Sequence, residues 1–151
     1  MAALSTLDTL IDLATKDTDE ATKRLGRCIR AADEAQQKLS VLQQYRDDYG
    51  LRFQESMQAG LTPMQYRNFQ LFIEKIEVAI NGQNSLVETA KLRISEARTV
   101  WQGCERKRMS YDTLATRARL SAQQRESKLD QKQTDEHASR MAFYSSKNRQ
   151  A

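Results

Sequence analysis

The residues able to do chemistry in this chain are few and widely spaced. There is one histidine, His137, and two cysteines, Cys28 and Cys104. A lone imidazole supports neither a His-based triad nor a histidine metal cluster. The five glycines stand singly at 26, 50, 60, 82 and 103, so no phosphate-cradling loop is present. Asp47-Asp48 and Asp135-Glu136 are adjacent carboxylates, which on a helix face read as solvated charge rather than as an acid–base pair. The expectation is a protein that is not an enzyme, with no catalytic, cofactor-binding or metal residues. Function must then reside in surfaces, and the surfaces depend on the elements that carry them.

Those elements are written as a heptad seam, twice. The first copy runs Leu4, Leu7, Ile11, Ala14, Thr18, Ala21, Leu25, Cys28, Ala32, Ala35, Leu39, Leu42, Arg46, Tyr49, Phe53. The second runs Phe69, Ile73, Ile76, Ile80, Gln83, Val87, Ala90, Ile94, Ala97, Trp101, Cys104, Arg108, Tyr111, Ala115, Ala118. Steps alternating between three and four residues are the coiled-coil pattern. With 5 Gly, 1 Pro and 29% charged residues, the composition also suits long helices. The fold expected is all-α: a long antiparallel two-helix coiled-coil hairpin with an overhanging C-terminal helix, forming a single coiled-coil domain over residues 1–151. Helix 1 spans about 4–57, the loop 58–62 and helix 2 about 63–145. A two-helix layer buries a stripe rather than a ball, so stability without a partner is expected to be marginal.

The break is specified by Gly60-Leu61-Thr62-Pro63-Met64-Gln65-Tyr66. Gly60 suits a left-handed helix end. Thr62 suits an N-cap, Pro63 the first helical position and Gln65 the return bond of a capping box. Leu61 and Tyr66 have the spacing of a hydrophobic staple. A short loop makes the helices antiparallel neighbours and pairs Phe53 with Phe69, Tyr49 with Ile73 and Ala21 with Trp101. In this register the two cysteines lie ~15 Å apart along the axis, too far for a disulfide. Asn81-Gly82-Gln83-Asn84-Ser85 is a second weak point where a kink is expected, without a break in the seam.

Two departures from a plain coiled coil point to partners. Near the loop, Tyr45, Phe72 and Ala79 stand one place before the seam, on flanks that face each other across the pair. With the seam residues Tyr49, Phe53, Phe69 and Ile76 they make an apolar stripe, which is either a docking patch or a widening of the core. The other departure is the far end. Helix 2 outruns its partner beyond Ala118 and is polar on all sides, so alone it should fray. The net charge of +4 is concentrated there, and Arg106, Lys107, Arg108, Arg117 and Arg119 suit an acidic protein surface. Carboxylates intervene and no aromatics interleave, which argues against nucleic acid. No segment approaches the ~20 apolar residues of a membrane span, and the amphipathic start carrying Asp8 and Asp12 is not a signal peptide. A cytoplasmic protein without direct membrane insertion is expected.

The ordered residues Thr6-Leu7, Asp12-Leu13-Ala14 with Lys16, Leu42-x-x-Tyr45-x-x-x-Tyr49, Asn68-Phe69-Gln70-x-Phe72-Ile73, Trp101, Thr113-Leu114 and Asp130-Gln131-Lys132-x-x-Asp135-Glu136-x-Ala138-x-Arg140 resemble the flagellar type III export protein FliJ family. The resemblance implies a non-catalytic stalk like that of rotary ATPases. Its open end would enter the hexameric ring of the export ATPase FliI, here through Lys16, Lys23, Arg106, Lys107, Arg108, Arg117 and Arg119. Its loop-proximal side would dock on the cytoplasmic domain of the export gate FlhA through Leu42, Tyr45, Tyr49, Phe72, Ile76 and Ala79. Lys38 and Gln83 depart from the family at the edge of that surface. The ATPase regulator FliH and export chaperones are further implied partners. So is peripheral association with the inner membrane at the flagellar base. The equivalent stalk of a virulence secretion system and a chaperone escort with no ring role are the alternatives.

Overall fold

Gly60 takes φ 94°, the left-handed conformation that ends a helix without Cβ strain. Its N–H donates to the Met57 carbonyl at 3.3 Å. The next helix starts through the reciprocal bonds the sequence encodes. The Gln65 N–H donates to Thr62 Oγ1 at 3.2 Å, and the Thr62 N–H donates to Gln65 Oε1 at 3.1 Å. These two helix ends bound α1, Ala2–Ala59, and α2, Pro63–Arg149. The computed structural model describes residues 2–150, with side chains from Leu4 onward. The two helices pack against each other as an antiparallel hairpin. Both run slightly beyond the expected limits, and α2 passes through Asn81–Ser85 as continuous helix.

The seam holds throughout. Every seam position in both copies is buried or half-buried. Outside it, only Leu10, Gly26, Gln43, Gly50, Ser56, Leu61, Phe72 and Glu105 escape full exposure among the described side chains. From Arg119 to Gln150 every residue is exposed, yet the helix continues to Arg149. Lys147 and Arg149 in its last turn complement the negative end of the helix dipole.

The chain divides into two compact units. The unit Asp17–Cys104 contains the loop and a core of Leu39, Ile76, Ile80 and Val87, against which Ala35, Leu42, Tyr49 and Phe72 pack. Ala21, Ala32, Ala97 and Thr18 are also buried here. Each fully buried Ile contributes about 1.5–3 kcal/mol by leaving water. The unit formed by Met1–Lys16 and Glu105–Ala151 is thinner: Ala14 and Ala115 are its buried apolar residues among those described. Cys28 and Cys104 are both free thiols, as the register requires.

Candidate docking surface

The loop-side stripe is an aromatic ladder shared by both helices. The Tyr49 ring lies 4.4 Å from that of Phe72 and 5.1 Å from that of Phe69. Phe53 lies 5.4 Å from Phe69 and 5.6 Å from Tyr66. Tyr45 stands 6.1 Å from Phe72 and 6.5 Å from Tyr49. Such separations are those of favourable ring pairs. The hairpin register predicts Phe53 opposite Phe69, and these rings meet edge to face. The register also sets Tyr49 opposite Ile73; the Tyr49 ring further reaches Phe69 and Phe72, because aromatic side chains extend to diagonal neighbours.

The stripe residues occupy three depths. Ile76 is 6% exposed and belongs to the core beneath the stripe. Leu42, Tyr49 and Phe72 are half-buried. Tyr45, 52% exposed, and Ala79 stand outermost. Phe72 therefore widens the core and shows an edge, whereas Tyr45 presents most of its ring to solvent while anchored on two others. An exposed, partly ordered aromatic is the usual anchor of a protein interface.

Next to it lies a shallow groove lined by Glu34, Gln37, Lys38, Val41, Leu42 and Gln83. Val41 is 66% exposed and continues the Tyr45 flank by one turn, at the place before Leu42. Its spacing is legible in the sequence, but a single valine at that place carries no distinguishing signal beside the aromatic residues. Gln83 is positioned by its own bond: its Nε2 donates to the Ala35 carbonyl on α1 at 2.9 Å.

The predicted basic residues divide between the units. Lys16, Arg106, Lys107, Arg117 and Arg119 are exposed in the unit that holds both ends of the chain. Lys23 is exposed in the loop-containing unit. Arg108 is half-buried and held by Glu105 and Asp112 on its own helix. Arg119 reaches Asp8 at 3.5 Å. The Glu105 carboxyl is held below the usual glutamate range chiefly by the hydrogen bond from Arg108, against an opposing effect of desolvation, with that guanidinium's charge adding to the lowering. Arg108 is thus internally committed, unlike the exposed Lys107 beside it. Among the described residues no group of His, Cys, Asp or Glu is arranged to hold a metal ion. Nor, among the described residues, is any helix long and apolar enough to cross a membrane.

Comparison with known proteins matches residues 4–147 to the family described as "Flagellar FliJ protein". The Flagellar FliJ protein of Escherichia coli (strain K12) is 32% identical over 143 residues, covering 95% of this chain and 97% of that protein. The Flagellar FliJ protein of Salmonella typhi is 30% identical over the same length, with the same coverage. A helical hairpin matched end to end at this identity places the chain firmly: it belongs to the flagellar FliJ protein family.

Proposed function

We propose that this protein is a non-catalytic component of the flagellar type III export apparatus, acting as a stalk between an ATPase ring and the export gate. The observation that carries the reading is Tyr45: a solvent-exposed ring held on Tyr49 and Phe72, on the surface that the family resemblance assigns to gate docking. The wholly exposed helix beyond Ala118 supports a second contact. A helix with no intramolecular face to bury is stabilised by an external one, and the basic surface of its unit fits an acidic lining. Lys16, Lys23, Arg106, Lys107, Arg117 and Arg119 would make that contact. Arg108 would contribute chiefly by bracing its own helix. Binding some ring states better than others is what would let the stalk bias the ATPase cycle. The family match and both relatives are flagellar, which favours this setting over a virulence secretion system.

The test is the ATPase rate and hexamer population of the export ATPase with and without purified protein. Stimulation, with no hydrolysis by the protein alone, is expected. An unchanged rate and hexamer population would remove the ring role.

A further inference from the structure

Three arginines line one groove of the loop-containing unit: Arg24 and Arg27 from α1 and Arg93 from α2, over a floor of Cys28, Ala31 and Ala90. All three arginines are exposed. Arg24, Arg27 and Ala31 follow at three- and four-residue steps and so share one helix face. Each of the three arginines sits one place before a seam residue, namely Leu25, Cys28 and Ile94. Arg24 and Arg93 precede seam residues that follow a four-residue step, and in a coiled-coil pair such flanking positions ordinarily carry opposite charges across the helices; Arg27 stands on the same face one turn from Arg24. Here both helices bring the same sign to one groove. Among the described residues no carboxylate oxygen lies within 4.0 Å of these guanidinium groups. Glu20 and Glu96, which occupy the same flank about a turn away, leave them unpaired.

We infer that the Arg24–Arg27–Arg93 groove is a binding site for an acidic protein segment, separate from the aromatic stripe and from the residues assigned above to ring contact. Three forked guanidinium groups suit carboxylates, which they grip in bidentate fashion. The floor of Ala31, Ala90 and Cys28 is small and apolar, so it admits the aliphatic side of a helix whose other face carries Glu or Asp. A nucleic acid fits less well: no aromatic lines the groove to stack a base, and Glu20 and Glu96 would oppose a continuous phosphate backbone. Neutralising the like-charge cluster is the gain on binding.

The experiment uses the full chain, isotopically labelled, and three probes: a synthetic Glu/Ala/Leu helical peptide of about twenty residues, an oligouridylate and phosphatidylglycerol vesicles. Amide and arginine side-chain NMR shifts report the site, and fluorescence anisotropy reports affinity. The peptide is expected to shift residues 24, 27, 31 and 93 saturably. Arg27→Glu with Arg93→Glu should weaken it by about tenfold or more, while the control Lys128→Glu with Lys132→Glu leaves it within about twofold. Equal losses in the two variants, or shifts that avoid the groove, overturn the inference. Tighter binding of the RNA or the vesicles at these same residues overturns the assignment to protein. Should the reversal lower helicity, Arg27→Gln with Arg93→Gln replaces it, and unchanged peptide affinity there is equally contrary. A ligand-free reading is available as well. Arg93→Gln should raise Tm at low salt and lose that gain at high salt; no such gain contradicts the unpaired cluster.

Discussion

The side chain of Gln83 crosses from α2 to donate a 2.9 Å hydrogen bond to the carbonyl of Ala35 on α1. Ala35 is itself a seam residue, and its carbonyl has a lone pair beyond the one its helix uses. A single polar group at a seam position fixes axial register at some cost in stability. Gln83→Ala should lower stability by about 1 kcal/mol. Gln83→Leu should recover or exceed wild-type Tm while allowing the helices to slip. Spin labels at Lys38 and Ala79, with both native cysteines replaced by serine, would show a broader distance distribution in the leucine variant. An unchanged width would mean that the aromatic ladder alone sets the register.

The stripe can be dissected by depth. Tyr45→Ala removes a half-exposed ring and should cost under about 1 kcal/mol. Phe72→Ala removes the ring packed 4.4 Å from Tyr49 and should cost about 2–3 kcal/mol. Thermal melts monitored by circular dichroism would separate them. A Tyr45→Ala loss as large as that of Phe72→Ala would assign the tyrosine to the core rather than to docking.

Ile80 is 3% exposed at the centre of the loop-side core. Ile80→Ala should cost about 3 kcal/mol, while Val78→Ala, at a 71% exposed position on the same helix, should cost under about 0.5 kcal/mol. Urea titration of both variants checks the contrast.

Acid sensitivity has one identifiable local source. Glu105 titrates below its usual range because Arg108 bonds and faces it. A carboxyl with a lowered folded pKa stabilises the fold above its unfolded pKa, and that contribution is lost as pH falls through the folded value. Glu105→Gln should therefore flatten the acid limb of Tm against pH, slightly, because solvent screens the pair. Coincident acid limbs for wild type and variant would show that the pair adds nothing.

Much of this architecture was legible because a coiled coil expresses its tertiary contacts in its spacing. The seam from Leu4 to Phe53 and from Phe69 to Ala118 named the buried stripe, and Thr62, Pro63 and Gln65 named the start of α2. What spacing could not show was side-chain reach. Tyr66 was read as a staple to Leu61, but its ring also engages Phe53 across the loop. Gln83 looked like a departure and proves to be an interhelical bond. The arginine groove needed both helices in place, since Arg24 and Arg93 are remote in sequence. At the far end, loss of the seam foretold exposure after Ala118, and the overhanging helix, expected to about 145, continues to Arg149.

The overhang bears on stability and binding in opposite ways. Deleting residues 120–151 removes only exposed residues among those described, so the urea midpoint should be nearly unchanged while stimulation of the export ATPase falls. A lower midpoint would reveal that the overhang supports the fold.

The stalk account is tested most directly by weighing the mixture of this protein, the export ATPase and the cytoplasmic domain of the export gate by mass photometry. A ternary species containing all three, absent without this protein and reduced by Tyr45→Ala, is the predicted result. Two binary complexes that exclude each other would contradict it.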